Sequence, residues 1–228
     1  MTNKNTIIAF DLDGTLLDSA DDLIDTLNIL LKEMNINEMK KSDVNYLVGN
    51  GALAMIQKAF KINKIYNDNI NWVLLKNKFL HIYKYNCLKK SKLFPYTKEV
   101  LEELKFKKYH IILVSNKPKY FVKKILRFFE LEKYFNAVSG GDTFEFKKPD
   151  PRHLYETIKL ANIESYNCIF IGDSISDALC AKKSNSKLIL LTHGYSDLNI
   201  KSMGADFVLD NLKEIPNLIT NEKFYLTK

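Results

Sequence analysis

The sequence predicts an α/β fold in which an open, doubly wound (Rossmann-like), mostly parallel sheet carries an inserted α-helical cap. Three observations lead to this prediction. Short apolar runs end abruptly in polar residues, helical patterns separate most of these runs, and residues 18–94 contain helical patterns alone. A chain of 228 residues, of which 46% are hydrophobic, is long enough to bury such a core.

The strands are indicated by continuous apolar runs, which are typical of parallel strands covered on both faces. The first run, at residues 7–10, is followed directly by Asp11-Leu12-Asp13-Gly14. Similar runs occupy residues 111–114, 168–171 and 188–191, and a weaker one occupies 207–209. In an open parallel sheet, ligands are expected to bind beyond the carboxyl ends of the strands.

Helices of the core are predicted between these strands. Apolar residues recur at helical spacing over residues 100–104, 121–128, 154–161 and 176–184. Thr97, which follows the turn-forming Phe94-Pro95-Tyr96, is the expected N-cap of the first of these helices. Alternating strands and helices imply right-handed crossovers, and hence a doubly wound sheet.

The expected insert contains three helical patterns and no convincing strand. Ser19 and Asp22 have the spacing of a capping box at its first helix. Gly49-Asn50-Gly51 interrupts the second pattern, which indicates either a bend where backbone approaches a ligand or a loop between two short helices. The expected division is a core of residues 1–17 and 95–228 and a helical cap of residues 18–94.

Aspartates follow two of the predicted strands. Asp11 and Asp13 come after the first, and Asp173 comes after a later one. Carboxylates that converge repel one another unless a cation binds them, and Mg²⁺ prefers oxygen ligands. Asp177 has capping-box spacing from Ser174, so it serves either the helix or the metal. The sequence therefore predicts a magnesium site.

The first pair of aspartates also has the chemistry for phosphoryl transfer. Asp11, held ionised at a strand end, can be the nucleophile that takes a phosphoryl group. Asp13, turned towards substrate by the bend at Gly14, can protonate the leaving oxygen and later activate water.

A transferring phosphoryl group also needs hydrogen-bond donors and a positive charge. Ser115, at the end of a predicted strand, offers a hydroxyl. Lys148 is the expected cation because it adjoins a proline just before a predicted helix, although composition alone does not separate it from Lys147.

Charge and cysteine content bear on partners and compartment. The net charge of +7 raises the question of nucleic acid, but only 2 of the 34 basic residues are arginine, the residue that best recognises bases and phosphates. We therefore expect no nucleic-acid partner. The three cysteines lack metal-ligand spacing, which is typical of reduced thiols in the cytoplasm. The sequence also has no signal-peptide core and no apolar run of membrane length, so we expect a cytoplasmic protein that has no membrane partner. The sequence leaves monomer and homodimer undecided.

Four segments together resemble the motifs of the haloacid dehalogenase superfamily, in order and over nearly the whole chain. They are Asp-Leu-Asp-Gly-Thr-Leu-Leu-Asp-Ser at residues 11–19, Ser115-Asn116-Lys117, Lys148-Pro149-Asp150-Pro151 and the segment 172–177. The resemblance implies an enzyme with Mg²⁺ as cofactor. It implies that Asp11 is the nucleophile, Asp13 the general acid and base, Ser115 the phosphate-binding hydroxyl and Lys148 the charge-stabilising lysine. It also implies that the metal is surrounded by Asp11, the backbone carbonyl of Asp13, Asp173 and Asp177. An aspartate two residues after the nucleophile resembles the phosphatases and phosphomutases of that superfamily.

The helical insert resembles the α-helical cap of the first superfamily subclass. The segments 48–52 and 139–143 further resemble phosphoglycolate phosphatases. That resemblance implies a phosphoric monoester hydrolase acting on a small phosphorylated acid, with Gly49, Asn50 and Gly51 in a cap loop over the substrate. Gly14 and Asn116 are the further substrate-binding residues that it implies.

Other functions remain open at this point. A phosphomutase or a pyrophosphatase would use the same aspartyl phosphate with a different acceptor. A receiver-type regulatory module also combines an aspartate, an acidic Mg²⁺ site, a hydroxyl and a lysine, but it needs only one small domain. The helical cover and the second aspartate favour an enzyme that hydrolyses its phosphoenzyme.

Overall fold

The structure is a computed structural model that describes residues 6–163, 167–221 and 224. Its strands are β1 (Thr6–Phe10), β2 (Leu17–Asp18), β3 (Lys92–Leu93), β4 (His110–Val114), β5 (Ala137–Ser139), β6 (Asn167–Gly172), β7 (Lys187–Leu191) and β8 (Phe207–Leu209). Its α-helices are α1 (Ala20–Glu33), α2 (Val44–Leu47), α3 (Ala52–Ile62), α4 (Trp72–Asn86), α5 (Thr97–Phe106), α6 (Lys119–Phe128), α7 (Arg152–Leu160), α8 (Ile175–Lys183) and α9 (Ile215–Thr220).

Six strands form one sheet in the order β5-β4-β1-β6-β7-β8, and every neighbouring pair is parallel. From β1 the chain first builds outwards through β4 and β5, and then returns to build in the other direction from β6. The reversal places the carboxyl ends of β1 and β6 side by side at the topological switch point, where open α/β sheets bind ligands. The predicted fold class is confirmed.

The two faces of the sheet have separate hydrophobic cores. In β1, Ile8 and Phe10 point into the core covered by α5, α6 and α9, whereas Ile7 and Ala9 point into the core covered by α7 and α8. All four side chains are fully buried. Burial on both faces explains why this strand is a continuous apolar run rather than an alternating one.

The helices between residues 20 and 86 have a hydrophobic core of their own. Within the described residues, Phe121 and Tyr195 are the only members of this buried cluster that lie outside residues 20–87. Its centre includes fully buried Leu27, Leu47 and Ile56. This separation supports the proposal that residues 18–94 are a cap on a core of residues 1–17 and 95–228.

Two short strands were not predicted within the insert region. β2 and β3 pair antiparallel where the chain enters and leaves it, with Leu17 opposite Leu93 and Asp18 opposite Lys92. The expectation of an insert without strands is therefore wrong, because two-residue strands are too short to produce a periodic pattern. The edge strand β5 was missed for the same reason. The predicted second helix is two helices, α2 and α3, joined through Gly49-Asn50-Gly51.

Two predicted helix caps are also wrong. At α1 the Ser19 side chain makes no cap hydrogen bond; the Tyr195 hydroxyl instead accepts from the backbone N–H of Ser19 at 2.8 Å. At α5 the N-cap is Tyr96, and the Thr97 hydroxyl donates to the Phe94 and Leu16 carbonyls. A distant side chain replaces the local cap in the first case, which local spacing does not reveal. Among the described residues, none of the helices is both long enough and apolar enough to cross a bilayer.

Candidate active site

Three carboxylates meet at the switch point of the sheet. Asp11 follows β1, Asp173 follows β6, and Asp177 lies in the first turn of α8. Each of these buried residues offers an oxygen within 4.8 Å of those of the other two. The structure therefore brings together residues that lie more than 160 positions apart in the sequence.

Asp173 is held by groups from two other segments. The Thr15 hydroxyl donates to Oδ1 at 2.9 Å, and the Tyr195 backbone N–H donates to Oδ2 at 2.7 Å. Gly14 and Gly194 pack so closely that a Cβ on either would lie 2.2 Å or less from an Asp173 side-chain atom. Gly14 also has a φ of +85°, which favours glycine. The predicted bend at Gly14 thus makes room for Asp173.

Lys148 supplies a buried positive charge to this cluster. Its Nζ lies 2.8 Å from Asp11 Oδ1 and 2.7 Å from Asp177 Oδ1, and the residue is 1% exposed. Burial alone lowers the pKa of this ammonium, but the carboxylates of Asp11 and Asp177 outweigh burial and raise the pKa above its usual value. Lys148 therefore stays charged. Lys147, which the sequence did not separate from it, instead donates to the Asn50 carbonyl at 2.9 Å.

The cluster has more negative than positive groups. The pKa of Asp11 is raised to about 7: burial and the charge of Asp177 raise it, and Lys148 only partly offsets them. Burial and the charges of Asp177 and Asp11 raise the pKa of Asp173 well above its ordinary value. One lysine does not balance three carboxylates, whereas a divalent cation with oxygen ligands does. The donor set therefore fits Mg²⁺.

Asp177 serves the helix, one of the two roles that the sequence left open, and it also lies in the acidic cluster. Its Oδ2 accepts from the Ser174 backbone N–H at 3.0 Å and from the Ser174 hydroxyl at 2.6 Å, completing the predicted capping box. Its Oδ1 faces Lys148. The helix cap thus fixes the orientation of a carboxylate in the acidic cluster.

Asp13 points away from this cluster into a different ion pair. Both of its carboxylate oxygens lie 2.8 Å from Lys117 Nζ, and Oδ1 also accepts from the Ser19 hydroxyl at 2.5 Å. The Lys117 ammonium lies 4.8 Å from the centre of the Tyr83 ring, a cation–π distance. Lys117 and Tyr83 were not predicted as site residues, although Lys117 is part of a quoted motif.

The loop after β4 makes hydrogen bonds both within the core and to the glycine loop at residues 49–51. Ser115 is 1% exposed, and its hydroxyl accepts from the Lys117 backbone N–H at 3.2 Å. The Asn116 amide donates to the Lys148 carbonyl at 3.0 Å and to the Gly49 carbonyl at 3.1 Å. Asn116 therefore bridges the two lysine-bearing loops and the cap.

The glycine loop of the cap lies directly on the core. The Asn50 side chain accepts from the Ser176 hydroxyl at 2.7 Å. Gly51 has a φ of +85°, and a Cβ there would lie 3.2 Å from both the Asn116 carbonyl oxygen and Lys147 Nζ. The segment forms a loop between two short helices, and its backbone also lies close to the site.

A cavity of about 50 Å³ lies between the sheet edge and these cap helices. From the core it is lined by Asp11, Asp13, Ser115, Asn116, Lys117 and Pro118, and from residues 20–86 by Leu23, Val48, Gly49, Gly51, Ala52, Met55, Phe79, Leu80 and Tyr83. The predicted substrate-binding residues Gly49, Gly51 and Asn116 are among them. Asn50 and Gly14 are not, because they contact Ser176 and Asp173 instead.

Known proteins resemble this chain over nearly its full length. The family model described as haloacid dehalogenase-like hydrolase matches residues 8–191. A protein of Colwellia psychrerythraea named phosphoglycolate phosphatase is 33% identical and covers 93% of this chain and 96% of its own length. An Aquifex aeolicus protein of the same name is 34% identical, with 94% and 97% covered.

Solved structures agree with this result. The crystal structure of a Haemophilus somnus protein described as a predicted phosphoglycolate phosphatase matches with a TM-score of 0.87 and 31% identity, covering 97% of this chain and 100% of that one. The resemblance inferred from four sequence motifs is thereby confirmed. A family model over most of the chain, a shared fold and relatives above 30% identity agree that this chain belongs to the haloacid dehalogenase-like hydrolases.

Proposed function

We propose that this chain is a Mg²⁺-dependent phosphatase that hydrolyses a small phosphorylated acid, 2-phosphoglycolate in the first place, through an aspartyl phosphate on Asp11. The observation that carries the proposal is the position of Asp11. This carboxylate lies at the switch point of the sheet, 2.8 Å from Lys148, and lines a cavity that cap helices cover. Relatives named phosphoglycolate phosphatase support the choice of substrate.

The proposed metal ligands are Asp11, Asp173 and the backbone carbonyl of Asp13, with Asp177 behind them. The two raised carboxyl pKa values support this assignment, because they show that the pocket favours positive charge. When bound, Mg²⁺ would neutralise negative charge on the phosphoryl oxygens and keep Asp11 ionised.

In the first step, an Asp11 oxygen attacks phosphorus while the bond from phosphorus to the ester oxygen breaks. Asp13, which lines the same cavity, takes part in this step in its protonated form: it gives its proton to the departing oxygen and becomes the carboxylate that acts as base in the second step. Lys148 beside Asp11 and the hydroxyl of Ser115 stabilise the charge on the transferring group. The alcohol leaves, and the phosphoryl group remains on Asp11.

In the second step, a water oxygen attacks the same phosphorus while Asp13 takes a proton from it. The bond from phosphorus to Asp11 breaks, which releases phosphate and restores the carboxylate. The apolar cap residues over the cavity, among them Leu23 and Met55, limit the water that reaches the site during the first step.

Turnover of 2-phosphoglycolate beside sugar phosphates and pyrophosphate, each with Mg²⁺ and with a chelator, tests the proposal. We expect the highest kcat/KM for 2-phosphoglycolate and no turnover without the metal. Asp11→Asn should abolish turnover, and Asp13→Asn should lower it by a factor of about 10²–10⁴ and accumulate protein that carries one phosphoryl group in mass spectra. Asp21→Asn, which changes an aspartate in a surface ion pair on α1, is the control. Full activity of Asp11→Asn would refute the mechanism.

A further inference from the structure

Lys117 is the cation of the cavity wall, and the mechanism above does not use it. We propose that Lys117 determines specificity: its ammonium binds an anionic group on the leaving alcohol, such as the carboxylate of a short phosphorylated acid. This inference rests on the proposed function, because it concerns the part of the substrate that is not transferred.

The distribution of charge around the cavity supports this assignment. Among the described residues that line the cavity, Lys117 is the single cation. Lys148 does not line it and is committed to Asp11 and Asp177. The two lysines therefore have different positions. Lys148 lies beside the nucleophile, and Lys117 lies where the part of the substrate that is not transferred must fit.

The distance between Lys117 and Asp13 matches the length of the substrate. Lys117 Nζ is 2.8 Å from the carboxylate of Asp13, the residue proposed to protonate the ester oxygen. In 2-phosphoglycolate the carboxylate carbon is two bonds from that oxygen. An ammonium within hydrogen-bond reach of the proton donor is therefore also within reach of that carboxylate.

The surroundings of Lys117 leave its ammonium able to bind a further anionic group. Its side chain is 4% exposed, and an ammonium that is buried to this extent needs a partner, which Asp13 provides in the free enzyme. An ammonium has three N–H donors, and Asp13 offers it two oxygens. A further anionic oxygen from the substrate can share the same ammonium.

The remaining cap wall is apolar, with Met55, Phe79 and Leu80 facing the cavity. Such a wall disfavours a carboxylate unless a cation compensates for its lost hydration. Without Lys117, the cavity would favour a neutral alcohol over an acid of the same size. The ammonium therefore reverses the preference that the apolar wall imposes.

The test compares two substrates of similar size, 2-phosphoglycolate and 2-hydroxyethyl phosphate, which differ in the charge of the alcohol. The kcat/KM ratio for the two is measured in the wild type, Lys117→Met and Lys117→Arg. Lys117→Gln repeats the neutral variant if the methionine protein does not fold. Lys123→Met, which removes one exposed positive charge from α6, is the matched control.

We expect the preference for 2-phosphoglycolate to fall by about 10- to 100-fold in Lys117→Met, the size of a lost charge-assisted hydrogen bond, and to persist in Lys117→Arg and Lys123→Met. An unchanged ratio in the neutral variants overturns the inference even when the wild type turns over 2-phosphoglycolate well. A wild type that hydrolyses other phosphates but not 2-phosphoglycolate contradicts the proposed substrate instead, so the two failures are distinguishable.

Discussion

At the scale of single residues, the site contains two buried groups of paired charges, and each contributes one aspartate, Asp11 or Asp13, to the lining of the same cavity. Lys148 pairs with Asp11 and Asp177, and Lys117 pairs with Asp13. Each pair offsets the cost of burying its own charges. The proposed nucleophile and the proposed acid and base therefore each have a separate cation, so a substitution at one lysine need not disturb the other carboxylate.

Tyr83 has one of the buried polar atoms that lack a hydrogen-bond partner among the described residues. Its hydroxyl is buried and makes no hydrogen bond within the part of the chain that the structure describes, although the ring lines the cavity. Burial raises the pKa of this phenol well above 10, so the hydroxyl remains a donor at neutral pH. An unpaired buried hydroxyl destabilises the protein by about 1–3 kcal/mol. A substrate oxygen would satisfy it.

We predict that Tyr83→Phe raises the free energy of unfolding by about 1 kcal/mol and raises KM for 2-phosphoglycolate by about 5- to 10-fold. The ring, and hence the cation–π contact with Lys117, is retained. Denaturant unfolding and steady-state kinetics measure the two effects. Tyr85→Phe, on the exposed side of the same helix, should change neither quantity. A lower stability of Tyr83→Phe would show that the hydroxyl has a partner in the folded protein.

The sequence predicted the carboxylates more readily than their partners. Asp11 and Asp173 directly follow apolar strands, and the topology of a parallel sheet brings such positions together. Lys117 and Asp13 are separated by 104 positions and meet through their side chains, so no local pattern indicates the contact. Tyr83 occupies a helical pattern in which an aromatic residue is ordinarily part of the core.

At the scale of elements, the connection between core and insert is built from more than the β2–β3 pair. Asp22, in the first turn of α1, accepts from the backbone N–H groups of Lys90 and Ser91 at 2.9 Å each and from the Ser91 hydroxyl at 2.6 Å. This carboxylate therefore joins the segment that enters the insert to the segment that leaves it. The expected capping role of Asp22 is replaced by a longer-range one.

We predict that Asp22→Ala lowers the free energy of unfolding by about 2–4 kcal/mol, because it removes three hydrogen bonds that a buried carboxylate accepts from the segment leaving the insert. Urea unfolding followed by circular dichroism measures the change. The matched control is Asp25→Ala, one turn further along α1, whose partner Lys90 is exposed, so it should have little effect. Equal losses in the two variants would contradict the role assigned to Asp22.

The strands that the sequence did not predict share a physical cause. β2, β3 and β5 have two or three residues each, fewer than a periodic pattern requires. The split between α2 and α3 was indicated by the glycines, but only the positive φ of Gly49 and Gly51 shows why the helix cannot continue. Long elements with one buried stripe, such as α1 and α6, were predictable because their periodicity is repeated.

At the scale of the whole molecule, the carboxylates that we propose as metal ligands weaken the metal-free protein. The folded-state pKa of Asp11 is raised to about 7, and that of Asp173 is raised in the same direction. The folded chain then binds more protons than the unfolded chain between about pH 4 and pH 7, so metal-free stability falls as pH rises through this range. His153, whose pKa burial lowers to about 3, acts in the opposite direction, but only below about pH 6.5.

We therefore predict that Mg²⁺ stabilises the folded protein, and more at pH 8 than at pH 6, because binding must displace protons at the lower pH. At a free Mg²⁺ concentration of about 100 times Kd the gain is about 2.7 kcal/mol, which for a chain of this size raises Tm by about 5–10 °C. Thermal melts in Mg²⁺ and in chelator with matched ionic strength measure the shift. In Asp173→Asn the metal-free melt should move upwards, because a buried negative charge is removed, and the Mg²⁺ shift should largely disappear. A shift of equal size in that variant would place the bound cation elsewhere on the protein.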